Sequence, residues 1–229
     1  MRLIHAVGII AGLTIVISIA MAITAPKYNQ NEKPAVPPGV FKNPILSLEF
    51  VASADDVNAI IAQTQGAPNS IRNAMYFDFV FIAFYLALYL CLSAMLKRHN
   101  CPWAEYLAWL AAVCAVASAG FDVVENIRIL KLVTDGPINP ADTHIRDVTL
   151  LKWTFGFVTL ALLALNFRGL GRKAAWIGHA FTATAVAGLV ALIYWPLLPL
   201  IGIPILLGLI WLSLVCLRWP RELVSNSCQ

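Results

Sequence analysis

At 229 residues, this chain is 60% apolar and only 12% charged, whereas a soluble domain normally carries roughly 25% charged residues. Its mean hydropathy of +0.77 points to hydrocarbon as the solvent. The net charge of +4 is distributed as short basic clusters between apolar runs. That distribution lacks the broad basic face with exposed aromatics that nucleic acid requires, so a nucleic-acid partner is excluded. Lipid offers no partner to an open sheet edge. The expected fold is therefore all-α: a polytopic transmembrane bundle, with residues 1–229 as one integral membrane domain.

The first apolar run covers residues 3–25, longer than the ~7–15 residues of a signal-peptide core. It reads as an uncleaved anchor, although Ala20, Ala22 and Ala25 keep a cleavage reading open. Gly8 and Gly12 form a small-xxx-small pair suited to close helix packing. Residues 26–72 are polar and are expected to form an extracytoplasmic loop. Pro34, Pro37, Pro38 and Pro44 should keep its first half extended. Ser53 followed by Asp56 resembles a helix cap, and Val57, Ile60 and Ile61 then share one helical face. A short amphipathic helix over the outer end of the bundle is predicted, ending at Gly66 and Pro68.

A second span is expected over 75–96, ending at Lys97, Arg98 and His99, and a third over 103–130. Gly136, Pro137 and Pro140 make 131–147 a turn-rich loop. A fourth span covers 148–167, a basic link 168–173, and a fifth span 175–194. Pro196, Pro199 and Pro204 are expected to break the chain before a sixth span that ends at residue 217. A re-entrant Pro-rich end would leave five spans. Six spans put Arg2, Lys97, Arg98, Arg168, Arg172, Lys173, Arg218 and Arg221 on one side, the cytoplasmic side by the positive-inside rule. Both termini are then cytoplasmic, in what reads as a bacterial inner membrane. Trp103, Trp176, Trp195 and Trp219 fall near the expected interfaces, where an aromatic belt belongs. Cys91, Cys101, Cys114, Cys216 and Cys228 fall in spans or on the inner side, a pattern of free thiols.

The exceptional feature is a set of polar residues inside hydrocarbon. Asp122, Glu125, Asn126 and Arg128 lie in ASAGFDVVENIRIL, Asp78 in YFDFVF and Lys152 in LLKWTFG. A charge in the bilayer costs from ~3 to above ~10 kcal/mol, so such residues face a protein interior or water and find partners. The expected topology places Asp78, Asp122, Glu125 and Lys152 at one depth, one to two turns below the outer surface. At 3.6 residues per turn, Glu125 and Asn126 lie about 60° and about 40° to either side of Asp122, with Ser118 on the same face and Arg128 beside Glu125. Asp78, Tyr85 and Tyr89 line up on the second span. Lys152, Gly156, Thr159 and Asn166 form a stripe on the fourth.

These residues are the candidate site. Asp78, Asp122 and Glu125 are candidate catalytic acids or bases, with Lys152 as electrostatic partner. Asn126, Arg128, Tyr85, Tyr89 and Thr159 are candidate ligand-binding residues. The competing reading is structural: Lys152 neutralises a carboxylate, Arg128 snorkels outward, and the network fixes helix register. No three-residue metal site is expected, because His5, His99, His144 and His179 lack ligand spacing. No GxSxG elbow, P-loop or dinucleotide glycine pattern occurs, and no cofactor is specified. The leading functional expectation is binding or processing of a lipid or small amphiphile on the extracytoplasmic side. A non-catalytic subunit of a membrane complex, with a membrane-protein partner, is the alternative. Proton- or cation-coupled transport is the third. No reaction can be read from the residues.

Overall fold

The computed structural model describes residues 2–29, 43–50, 53–97, 102–135, 145–168, 170–194 and 197–223. Among them lie eight α-helices: α1 (Arg2–Thr24), α2 (Pro44–Glu49), α3 (Ala54–Gln63), α4 (Asn69–Leu96), α5 (Pro102–Asp135), α6 (Ile145–Arg168), α7 (Arg172–Ile193) and α8 (Leu198–Arg218). Six of these, all but α2 and α3, are long and apolar enough to cross a membrane. Their outward faces carry exposed Ile9, Val16, Ile23, Val113, Trp176, Ile193 and Leu207. A continuous apolar exterior of this kind needs lipid around it. The protein is an all-α polytopic integral membrane protein.

Each long helix packs on its neighbour in sequence, and α8 closes back on α1, so the six make a ring. Short links between α4 and α5, α6 and α7, and α7 and α8 make these neighbours antiparallel. Small residues set the seams. A Cβ added at Gly8 would lie 2.8 Å from the Cys216 side chain, and the Ser213 hydroxyl donates to the Gly8 carbonyl at 2.9 Å. The Gly8–Gly12 pair thus seats the start of α1 on the end of α8. At the α6–α7 seam, Gly188 of α7 receives the Phe157 ring of α6, and an added Cβ there would overlap the ring. The central core draws Val7, Leu92, Ala111, Phe157, Phe181 and Leu212 from all six long helices.

A second core lies at one end. Leu48 of α2 and Val57 and Ile60 of α3 pack with Ile71, Met75, Ile129, Leu132, Val133 and Ile145 from α4, α5 and α6. The cap is pinned to the chain after α1 by backbone bonds from Asn29 N to Gln63 O and from Gln65 N to Lys27 O, both 2.9 Å. Ser53 caps α3 by accepting from Asp56 N at 3.1 Å. Lys97, Arg168, Arg172 and Arg218 all lie at helix ends away from this cap, together with the start of α1.

Three details differ from the sequence reading. Pro44 does not extend the chain. It opens α2 at a first-turn position, where its missing N–H costs nothing, with Asn43 Oδ1 accepting from Ile45 N at 2.9 Å. Pro204 does not break α8, which runs through it; one lost ladder bond inside a well-packed helix is tolerated. Finally, α4 and α5 extend beyond the expected spans by polar turns at the cap end, which hydropathy does not register. Cys91, Cys114 and Cys216 are free cysteines on α4, α5 and α8, while Cys101 and Cys228 lie outside the described residues, as do Trp195, His99 and His144.

Candidate functional site

The buried face of α5 runs through Ala108, Ala111, Ala115, Ser118, Asp122, Glu125, Ile129 and Leu132. The spacing alternates between three and four residues, the period of a helix seam facing its neighbours. Alanines occupy the seam's first half. Asp122 and Glu125 follow in its middle, and Ile129 and Leu132 close its cap-side end. The buried face of α6 brings Thr149 and Lys152 opposite them.

Lys152 is the hub. Its Nζ lies 2.5 Å from Glu125 Oε1, 3.2 Å from Asp122 Oδ1 and 3.5 Å from Glu49 Oε2. All four residues are buried: Lys152 is 8% exposed, Glu49 7%, Asp122 6% and Glu125 1%. Hydrogen bonds extend the network. Tyr85 donates its hydroxyl to Asp122 Oδ2 at 2.9 Å, and Asn126 Nδ2 donates to Asp78 Oδ2 at 2.6 Å. Ser118 Oγ donates to the Lys152 carbonyl at 2.9 Å, tying α5 to α6 directly. Thr149 Oγ1 contacts Glu125 Oε2 and lies 3.1 Å from the Glu49 carbonyl. The Trp153 ring flanks the ammonium at 5.3 Å and stacks on Phe157.

The sequence candidates thus divide. Asp122, Glu125 and Lys152 meet directly, Tyr85 joins through Asp122, and Asp78 pairs with Asn126. Tyr89 packs against the Tyr85 ring, centroids 5.8 Å apart, one turn farther from the cap. Thr159 bonds back to the Phe155 carbonyl of its own helix, about two turns from Lys152. Arg128 is half-buried at the edge of the α5 seam. Among the described residues, no three His, Cys, Asp or Glu side chains converge as a metal site.

Glu49 is the member that sequence reasoning missed. It comes from α2, in the polar segment before the second span. A signal was present: LSLEFV sets one acid among apolar residues in an otherwise polar stretch. Burial raises the Glu49 carboxyl above its ordinary value of 4.5; Asp122 and Asp78 add to the rise, and Lys152 opposes it. Its neighbour Phe50 packs into the central core, while Leu48 packs into the cap core. The end of α2 is therefore a plug, acidic where it meets the network and apolar on both sides.

Three carboxyls, Glu49, Asp122 and Glu125, surround one ammonium, and a fourth, Asp78, is held by Asn126. Such a set reaches neutrality by keeping protons or by admitting a cation. It can exchange protons, hold a charged headgroup, or brace four helices. No protein-family model, curated protein or solved structure matches this chain.

The distances order the pairwise couplings. Breaking a buried pair typically costs ~3–5 kcal/mol, because the remaining charge is stranded. Lys152→Met in detergent-solubilised protein should fall in this range by thermal melting. Adding Glu125→Gln should recover more of the loss than Asp122→Asn, and Asp122→Asn more than Glu49→Gln. Asp78→Asn should couple to Asn126 rather than to Lys152. Melting temperatures for all single variants within error of wild type would contradict a buried network.

Proposed function

We propose that this protein binds or processes a lipid or small amphiphile, with the headgroup at the Lys152 network and the tail directed along Tyr85 and Tyr89. One observation carries the reading. Polar groups from α4, α5 and α6 converge with Glu49 beneath a segment that is not itself a spanning helix. Intramembrane ionisable groups mark functional sites by default. A register device needs one ion pair; here the carboxyls outnumber the cation, which supports a role in charge or proton exchange. Asp78, Asp122 and Glu125 are the groups available as acids or bases, Lys152 is the electrostatic partner, and Asn126 and Tyr85 are polar contacts.

The cap end is proposed to face the extracytoplasmic side of a bacterial inner membrane. Lys97, Arg168, Arg172 and Arg218 at the opposite end support this by the positive-inside rule. In whole cells, a thiol reagent that cannot cross the membrane should spare Gly171→Cys and reach Asp55→Cys in an otherwise Cys-free chain. External labelling at 171 would reverse the orientation.

Photoreactive alkyl amphiphiles test the binding itself. Trimethylammonium, phosphate and uncharged head groups on one diazirine-bearing tail should give different cross-linking yields, and the best probe should attach at Tyr85 or Tyr89. Asp78→Asn should lower that yield. Cross-links confined to outward-facing Phe77 and Val80 of α4, equal for all head groups, would mean annular lipid only.

A further inference from the structure

The Thr149 hydroxyl has one proton and two acceptors beside it. Its Oγ1 contacts Glu125 Oε2 and lies 3.1 Å from the backbone carbonyl of Glu49. A threonine hydroxyl donates once and accepts through its lone pairs. Both contacts are satisfied together only when Glu125 carries a proton on Oε2. Glu125 then donates to Thr149, and Thr149 donates to Glu49. When Glu125 is ionised, Thr149 turns its single proton to the carboxylate. The Glu49 carbonyl, at the end of α2, loses its donor from α6.

We propose that Thr149 is a proton-set latch on α2: protonated Glu125 holds the plug closed over the network, and ionised Glu125 releases it. As regulation of the headgroup site this rests on the function proposed above, but the opening itself is read without any ligand. Lys152 Nζ sits on the other oxygen, 2.5 Å from Glu125 Oε1, so the ammonium does not compete for Oε2. The ionised Glu125 also neutralises Lys152 more fully, which weakens its hold on Glu49 Oε2 at 3.5 Å. Both effects therefore act in the same direction. The other groups facing this junction are Asp122 on α5, at 3.2 Å from Lys152, and Asp78 and Tyr85 on α4, which meet it through Asn126 and Asp122.

The sign follows from proton counting. The closed plug binds a Glu125 proton that the open plug lacks, because only then are both Thr149 contacts satisfied. A state that binds one more proton gains stability as pH falls and loses it as pH rises through the titration of that proton. The plug should thus be shut in acid and loosen in base.

Glutamine separates the proton from the charge. In Glu125→Gln the side-chain oxygen can accept from Lys152 while the amide N–H takes the place of the protonated Oε2 and donates to Thr149 at every pH. Thr149→Val keeps the shape and removes the donor.

Hydrogen–deuterium exchange on the full chain in lipid nanodiscs reads the latch, corrected for intrinsic exchange and referenced to residues 53–63 of the cap. Between about pH 6 and about pH 9, wild-type protection over 43–50 should fall about tenfold or more, as expected when a buried carbonyl loses its partner. Glu125→Gln should stay protected at both pH values, Thr149→Val should be weakly protected at both, and Asp122→Asn should keep the wild-type trend. Protection in wild type that does not change with pH would overturn the latch. So would an unchanged pH trend in Glu125→Gln or in Thr149→Val. Should Thr149→Val fail to fold, wild type and Glu125→Gln decide the matter. Because no amphiphile is added, a failed latch leaves the cross-linking result standing, and absent cross-linking leaves the latch standing.

Discussion

An ammonium buried in a membrane bundle is tolerated only if carboxyl groups come to it, at least one of them ionised. Taking one ion out of water costs several kcal/mol even after relaxation, and only close, hydrogen-bonded counterions offset that. Lys152 meets this demand with Glu125 at 2.5 Å, Asp122 at 3.2 Å and Glu49 at 3.5 Å. The rest of the architecture follows from it. The α5 seam must face α6 in the one phase that turns Asp122 and Glu125 inward. The chain before α4 must fold back far enough to bring Glu49 to the same point. Tyr85 on α4 must reach Asp122. The apolar seams at Gly8 and Gly188 close the ring, but the ion network sets which faces of α4, α5 and α6 are inside.

Much of this was legible in the residues. Six apolar runs separated by basic clusters match the six long helices, because hydropathy over about 20 residues responds to the same hydrocarbon thickness that the helices must cross. The shared depth of Asp122, Glu125 and Lys152 followed from alternating span direction, and their shared face from the 3.6-residue period. The polar turns of α4 and α5 at the cap end were not legible, since hydropathy stops where the membrane does and helices do not. Pro204 shows the converse limit: proline removes one ladder bond, yet α8 runs through it.

Glu49 illustrates a different limit. Periodicity places a residue on a face of its own helix, and depth places it along a span. Neither rule reaches a six-residue helix in a loop. Its role depends on docking, and docking is decided by what Leu48 and Phe50 bury on either side of it. The hydrophobic surroundings of that one acid were the available clue. The same docking makes the site a composite, three walls from spanning helices and a lid from the polar segment. Thr149 stands where lid and wall meet and touches both.

The architecture depends on direct contact between the Lys152 ammonium and its carboxyl partners in a membrane. Solid-state NMR on protein in lipid bilayers, with 15N-labelled lysine and 13C-labelled aspartate and glutamate, measures that contact. The Lys152 Nζ signal should show strong dipolar coupling to the Glu125 carboxyl carbon, weaker coupling to those of Asp122 and Glu49, and slow exchange with water. A Lys152 ammonium that exchanges freely with water and couples to none of these carboxyls would contradict a buried ion network.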